Sequence, residues 1–139
     1  MTSYEIWYIA TLIALLFVPF LLAYPIRGRF DSKRGLVLTI FLSAALMSGV
    51  VIANLAYNDW VLDQEIAVLD RDGDGFWSEE EEASWTEGEQ RLMQSYIGDG
   101  GRNGFAVIIF PIFSFFYSTI VATLLWLAFH YIERRKSNA

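Results

Sequence analysis

Residues 36–56 read LVLTIFLSAALMSGVVIANLA, an unbroken run without a single Asp, Glu, Lys or Arg. At about 1.5 Å per residue a helix over this stretch extends roughly 31 Å, the thickness of the hydrocarbon core of a bilayer. Outward from it lie two more runs of the same kind. Residues 6–24 (IWYIATLIALLFVPFLLAY) precede it, with Pro19 expected to bend the helix, and residues 105–129 (FAVIIFPIFSFFYSTIVATLLWLAF) follow. None of the three contains an ionisable acid or base, so lipid is the solvent they expect. The expected fold class is all-α, with three transmembrane helices.

Charge is distributed around these runs in a pattern that sets orientation. Arg27, Arg29, Lys33 and Arg34 lie in the first connection, and Arg134, Arg135 and Lys136 follow the third run. Cytoplasmic segments are enriched in Lys and Arg, and three spans place the first connection and the C-terminal end on one side. The two groups of bases therefore satisfy the same orientation. The expectation is an integral protein of a plasma or inner membrane, with its C-terminal end cytoplasmic and its N-terminal end and residues 58–104 outside. Tyr4, Trp7, Tyr8, Tyr24, Tyr57, Trp60, Trp126, His130 and Tyr131 stand at the ends of the runs, as interfacial residues do. No Lys or Arg precedes residue 6 and no small-residue cleavage site follows the first run, so a retained anchor is expected rather than a cleaved leader.

Of 139 residues 55% are hydrophobic, and the formal net charge of −6 comes from acids concentrated between Asp59 and Asp99. That divides the chain into residues 1–57 (two spans and a basic turn), 58–104 (an acidic extramembrane segment) and 105–139 (the third span and a basic tail). Within the middle segment residues 60–69 read as a short helix and 78–96 as a second, with Gly98 as its stop and the glycine-rich residues 98–104 as a flexible return.

Between those two helices the chain reads Asp70-Arg71-Asp72-Gly73-Asp74-Gly75-Phe76-Trp77-Ser78-Glu79-Glu80-Glu81. Three aspartates alternate, a glycine follows where a sharp turn is needed, and a glutamate closes the stretch. This loop resembles the EF-hand calcium-binding loop. The resemblance implies a helix-loop-helix in which Asp70, Asp72 and Asp74 supply carboxylate oxygens. Phe76 would add its backbone carbonyl, Ser78 a hydroxyl or a bridging water, and Glu81 a bidentate carboxylate. Gly75 would make the turn, and calcium is the implied cofactor. Ser78 and Glu81 also form a capping box, which needs no metal but explains neither the alternating aspartates nor Gly75. Leu62, Ile66, Leu69 and Trp85 match the family's apolar positions, whereas Glu65, Glu82, Thr86 and Glu89 stand where apolar residues are usual. EF-hands of that family pair, and this one is single. Its apolar face is expected to meet the membrane surface, another copy of the chain or another protein.

Other features point to association rather than catalysis. Ala45, Gly49 and Ala53, with Ser48 beside them, and Ser114, Ser118 and Ala122 recur every four residues, the spacing that lets helices approach closely in lipid. The single histidine, His130, reads as interfacial rather than as an axial haem ligand. The chain has no cysteine, and its spans lack the charged residues that usually mark proton relays and ion paths, which disfavours a pump or carrier acting alone. The acidic outer segment repels nucleic acid. The expectation is a non-enzymatic, calcium-binding subunit of a larger membrane complex or a homo-oligomer. The alternative is a calcium-responsive channel or transporter component.

Overall fold

The computed structural model describes the backbone of residues 3–30 and 32–137, and the side chains of residues 6–30, 33–98 and 103–137. Tyr4, assigned above to the interfacial set, falls outside the described side chains. Among the described residues the structure is helical and contains no strand. The elements are α1 (Ser3–Leu15), α2 (Val18–Arg27), α3 (Ser32–Ile66), a 3-10 turn (Ala67–Leu69), α4 (Glu79–Ser84) and α5 (Glu87–Ser137). Three helical stretches, Ile6–Arg27, Lys33–Leu69 and Asn103–Ser137, are long and apolar enough to cross a membrane. The chain divides into two compact units, Met1–Val51 with Ile109–Ala139, and Ile52–Ile108.

In the first unit the anticipated bend is an interruption. Pro19 lacks the N–H that Leu15 would receive and its ring crowds that carbonyl. The chain therefore leaves α1 through 3-10-type bonds from Leu16 N to Ile13 O and from Phe17 N to Ala14 O, and restarts as α2. A carbonyl exposed at such a break is costly in hydrocarbon. Tyr117 of α5 donates its hydroxyl to Leu16 O at 2.8 Å.

The helices of this unit meet through small and hydroxylic residues, which lets their backbones approach. Ala23, Thr39, Ser43, Ser114, Ser118 and Ala122 are all buried, as is Met47, and Ser118 Oγ donates to Met47 Sδ at 3.7 Å. Thr39 and Ser48 bond back to the carbonyls of Gly35 and Ala44 within their own helix. The stripe on α5 is thus an internal contact. The stripe on α3 is not, since Ala45, Gly49 and Ala53 are exposed. The face of α3 turned inward carries Ser43, Met47 and Val51 instead, two residues out of register, which is about 200° around a helix. Trp126, expected among the interfacial aromatics, is likewise buried. Its ring lies so close to α3 that a Cβ on Gly35 would stand 2.7 Å from Cη2. Trp7, Tyr24 and Tyr131 are exposed.

In the second unit both helix boundaries read from the sequence shift. Residues 60–69 are no separate helix, because α3 runs on to Ile66 and closes in the 3-10 turn. Residues 78–96 are not one helix either: α4 ends after Ser84, Trp85 takes an extended conformation, and α5 starts at Glu87. The restart has a local cause. Thr86 and Glu89 form a second capping box, in which Thr86 N and Oγ1 donate to Glu89 Oε2 while Glu89 N donates to Thr86 Oγ1. Nor does Gly98 end the helix, since α5 continues through residues 98–104. Near there Asn103, buried on α5, donates to Asp59 Oδ1 of α3 at 2.6 Å. That tertiary bond holds a stretch whose glycines disfavour a helix by about 1 kcal/mol each.

Candidate metal centre

The loop between Leu69 and Glu79 is anchored on a small core of Ile66, Leu69, Trp85 and Met93, with Leu92 and Tyr96 packed against it. Ile66, Leu69 and Trp85 are three of the four apolar positions expected from the sequence, and the fourth, Leu62, is half-buried and does not belong to this core. Within the chain α5 packs on these three, supplying Met93, Leu92 and Tyr96.

Asp70 leaves the 3-10 turn in an extended conformation, and the chain then folds back on its own carboxylates. Asp70 Oδ1 accepts from Gly73 N at 2.8 Å and Asp70 Oδ2 from Gly75 N at 2.9 Å. Asp72 Oδ1 accepts from Asp74 N, and Asp74 Oδ1 from Phe76 N. These bonds require left-handed backbone at Gly73 (φ 78°) and Gly75 (φ 86°), the only non-negative φ values among the described residues, which a side chain would oppose. Gly75 was anticipated. Gly73 was not, although a glycine between two acids of a tight loop is itself a signal.

The result is a convergence of Asp70, Asp72 and Asp74, with one oxygen from each lying within 4.8 Å of the others. Asp72 and Asp74 are exposed and Asp70 is half-buried. A carboxylate oxygen that accepts one N–H still has a lone pair free, so the three can serve a hard cation that prefers oxygen. The cluster can hold a metal ion.

Ser78 and Glu81 are placed differently. Glu81 is buried (8% exposed) and lies outside the aspartate cluster. Its Oε2 accepts from Ser78 N at 2.9 Å and from the Ser78 hydroxyl, while Glu81 N donates to Ser78 Oγ, completing the capping box of α4. Its Oε1 accepts from Arg71 N at 2.7 Å and more weakly from Asp72 N. The Ser78 N–H first, and then the Arg71 N–H, hold the Glu81 carboxyl below its ordinary range, against the opposing effect of desolvation. Glu81 thereby ties the start of the loop to its end.

Phe76 exposes its ring and Trp77 turns toward α5, its ring 6.1 Å from that of Tyr96 in an edge arrangement. Arg71 reaches Ser84 O and the Glu89 carboxylate across the loop, a bracing role that its loop position did not announce. The Glu89 carboxyl is itself held below its usual range, chiefly by the Thr86 N–H and then by the Thr86 hydroxyl, with Arg71 a smaller contributor. The Thr86-x-x-Glu89 pattern was legible as a capping box and marks the break before α5. No family model, curated protein or solved structure matches the chain.

Proposed function

We propose that the chain is a calcium-binding integral membrane protein without catalytic activity of its own, acting as a structural or regulatory subunit of a membrane complex. The observation that carries the metal reading is the convergence of the Asp70, Asp72 and Asp74 oxygens on a loop turned by two left-handed glycines. The EF-hand pattern adds the Phe76 carbonyl, Ser78 and Glu81 as further oxygen donors and selects calcium over smaller cations, which demand stricter octahedral geometry. For Glu81 to join the ion, its carboxylate must exchange the amides of Arg71 and Ser78 for the metal. Ion binding and the capping of α4 are then linked through one side chain.

The distribution of bases supports an orientation with Arg27 to Arg34 and Arg134 to Lys136 on the cytoplasmic side and the loop outside. Outside a cell, EF-hand-type modules bind with dissociation constants of about 10⁻⁴ to 10⁻³ M, so millimolar calcium keeps such a site filled. At ten times its dissociation constant the ion stabilises the bound form by about 1.4 kcal/mol, which suits ordering of the loop.

Calorimetric titration of the purified chain with calcium, alongside Trp77 fluorescence, tests the site. Saturable binding that is lost in Asp70→Ala supports it, and no binding up to about 10 mM, beyond the weakest modules of this type, sinks it. Cysteines introduced singly at Ser95 and Ser137 into this cysteine-free chain report sidedness. Labelling of Ser95→Cys from the cytoplasm would reverse the orientation.

A second reading, a calcium-responsive channel or transporter component, draws on the continuity of α3 and α5. Each is one helix that contains both a span and residues of the acidic segment. Calcium-dependent ion flux in liposomes holding the purified chain would favour it, and flux indifferent to calcium would remove it.

A further inference from the structure

Where α2 ends, Arg27 and the following Phe30 close with α5 on a cleft that the metal-binding reading does not use. Arg27 and Phe30 form one wall, and Trp126, Phe129, His130 and Glu133 of α5 form the other, around about 240 Å³. The packing of Trp126 onto Gly35, with the Ile26 side chain beside it, fixes α5 against the first turn of α3 and the last of α2. The cleft is therefore built by helix packing rather than by loose side chains.

Its chemistry is divided. Phe30, Trp126 and Phe129 present aromatic surface, and Arg27 presents a guanidinium that lies over the Phe129 ring at 4.4 Å. Arg27 is also ion-paired with Glu133. The side chain of Arg27 is mostly buried, whereas that of Glu133 is largely exposed to solvent. Arg27 is thus a positive group in the wall of an aromatic cleft, with an exposed carboxylate as its present partner.

The surroundings favour a negative ligand. Seven of the ten bases of the chain (Arg27, Arg29, Lys33, Arg34, Arg134, Arg135 and Lys136) belong to this end, against two acids, Asp31 and Glu133. Basic pockets between transmembrane helices at a membrane surface attract anionic headgroups, and aromatic walls suit the glycerol and first acyl carbons. We infer that this cleft binds the phosphodiester headgroup of an anionic phospholipid, with the Arg27 guanidinium exchanging Glu133 for the phosphate. The inference rests on the three helices crossing a bilayer and is independent of the acidic loop.

The experiment uses the full chain in a neutral detergent. It is titrated separately with phosphatidylglycerol, phosphatidylcholine and inorganic phosphate, and retained lipid is counted by native mass spectrometry. Phosphatidylglycerol is expected to be retained over phosphatidylcholine. Arg27→Gln is expected to weaken that retention about fivefold, the effect of one basic group near an anionic surface. Glu133→Gln removes the competitor and is expected to strengthen it, while Arg134→Gln with Arg135→Gln changes it less than Arg27→Gln does. If Arg27 and Glu133 served only to pin α2 to α5, their two substitutions would act in the same direction, and that result overturns the inference. Equal retention of the two lipids overturns it as well. Inorganic phosphate that blocks phosphatidylglycerol at equal concentration would show a free-anion site and overturn the lipid assignment.

Discussion

Glu81 accepts the backbone N–H of Arg71 at 2.7 Å, a bond between residues ten positions apart that closes the acidic loop on itself. The same carboxylate caps α4 through Ser78. One side chain therefore sets the distance between the start and the end of the stretch in which Asp70, Asp72 and Asp74 converge.

That bond makes the loop sensitive to acid. The folded state lowers the pKa of Glu81, through the N–H of Ser78 and then of Arg71, and of Glu89, through the N–H of Thr86. Each group contributes stability that is fully present above its ordinary pKa of about 4.3 and is lost as pH falls through its lower folded value. Amide exchange at Arg71, Ser78 and Thr86, followed by mass spectrometry without metal, should be constant from neutrality to about pH 5 and lose protection below about pH 4. Glu81→Gln should weaken that pH dependence, and an unchanged profile in the variant would refute the assignment.

Calcium should alter the same region. Trp77 faces Tyr96 at 6.1 Å, so ordering of the loop should change its emission. Asp70→Ala and Asp74→Ala are each expected to push the midpoint beyond about 10 mM, outside the range of modules of this type. Trp77→Phe should abolish the optical change while leaving the calorimetric binding, which separates the reporter from the site.

Two glycines of α3 should respond oppositely to alanine. At Gly35 the new Cβ meets the Trp126 ring at 2.7 Å, an overpacking expected to cost about 1–3 kcal/mol. At Gly49 a Cβ meets nothing within 4 Å, and the better helix former should leave stability unchanged or raise it by up to about 1 kcal/mol. Thermal unfolding of the two variants in detergent checks both. A loss of stability in Gly49→Ala would show that the exposed stripe of Ala45, Gly49 and Ala53 is covered in the native assembly.

The interruption of the first span offers a fourth test. Tyr117→Phe keeps the ring and removes the donor to Leu16 O, leaving that carbonyl beside the Pro19 break without the hydroxyl. The expected loss is about 0.5–1.5 kcal/mol, read as a lower unfolding midpoint in detergent or bicelles. A variant as stable as the parent would mean that the break satisfies its own backbone.

Much of this molecule is written in local pattern. The three apolar runs at residues 6–24, 36–56 and 105–129 determined three helices long enough to cross a membrane, because length and the absence of charge are properties of the chain itself. The alternation of Asp70, Asp72 and Asp74 around Gly75 likewise determined which carboxylates converge, since the bonds that gather them span at most five residues. Tertiary structure decided the rest. Which face of α3 turns inward depends on the partner helix, so Ser43, Met47 and Val51 are buried while the equally regular Ala45, Gly49 and Ala53 are exposed. The continuation of α5 through residues 98–104 goes with a bond from Asn103 to Asp59, forty-four positions away. Closure of the loop's apolar face by Met93 and Tyr96, and the meeting of Arg27 with Glu133, are contacts between residues far apart in sequence. A periodic pattern tells which residues share a face of a helix. Only packing tells what that face meets.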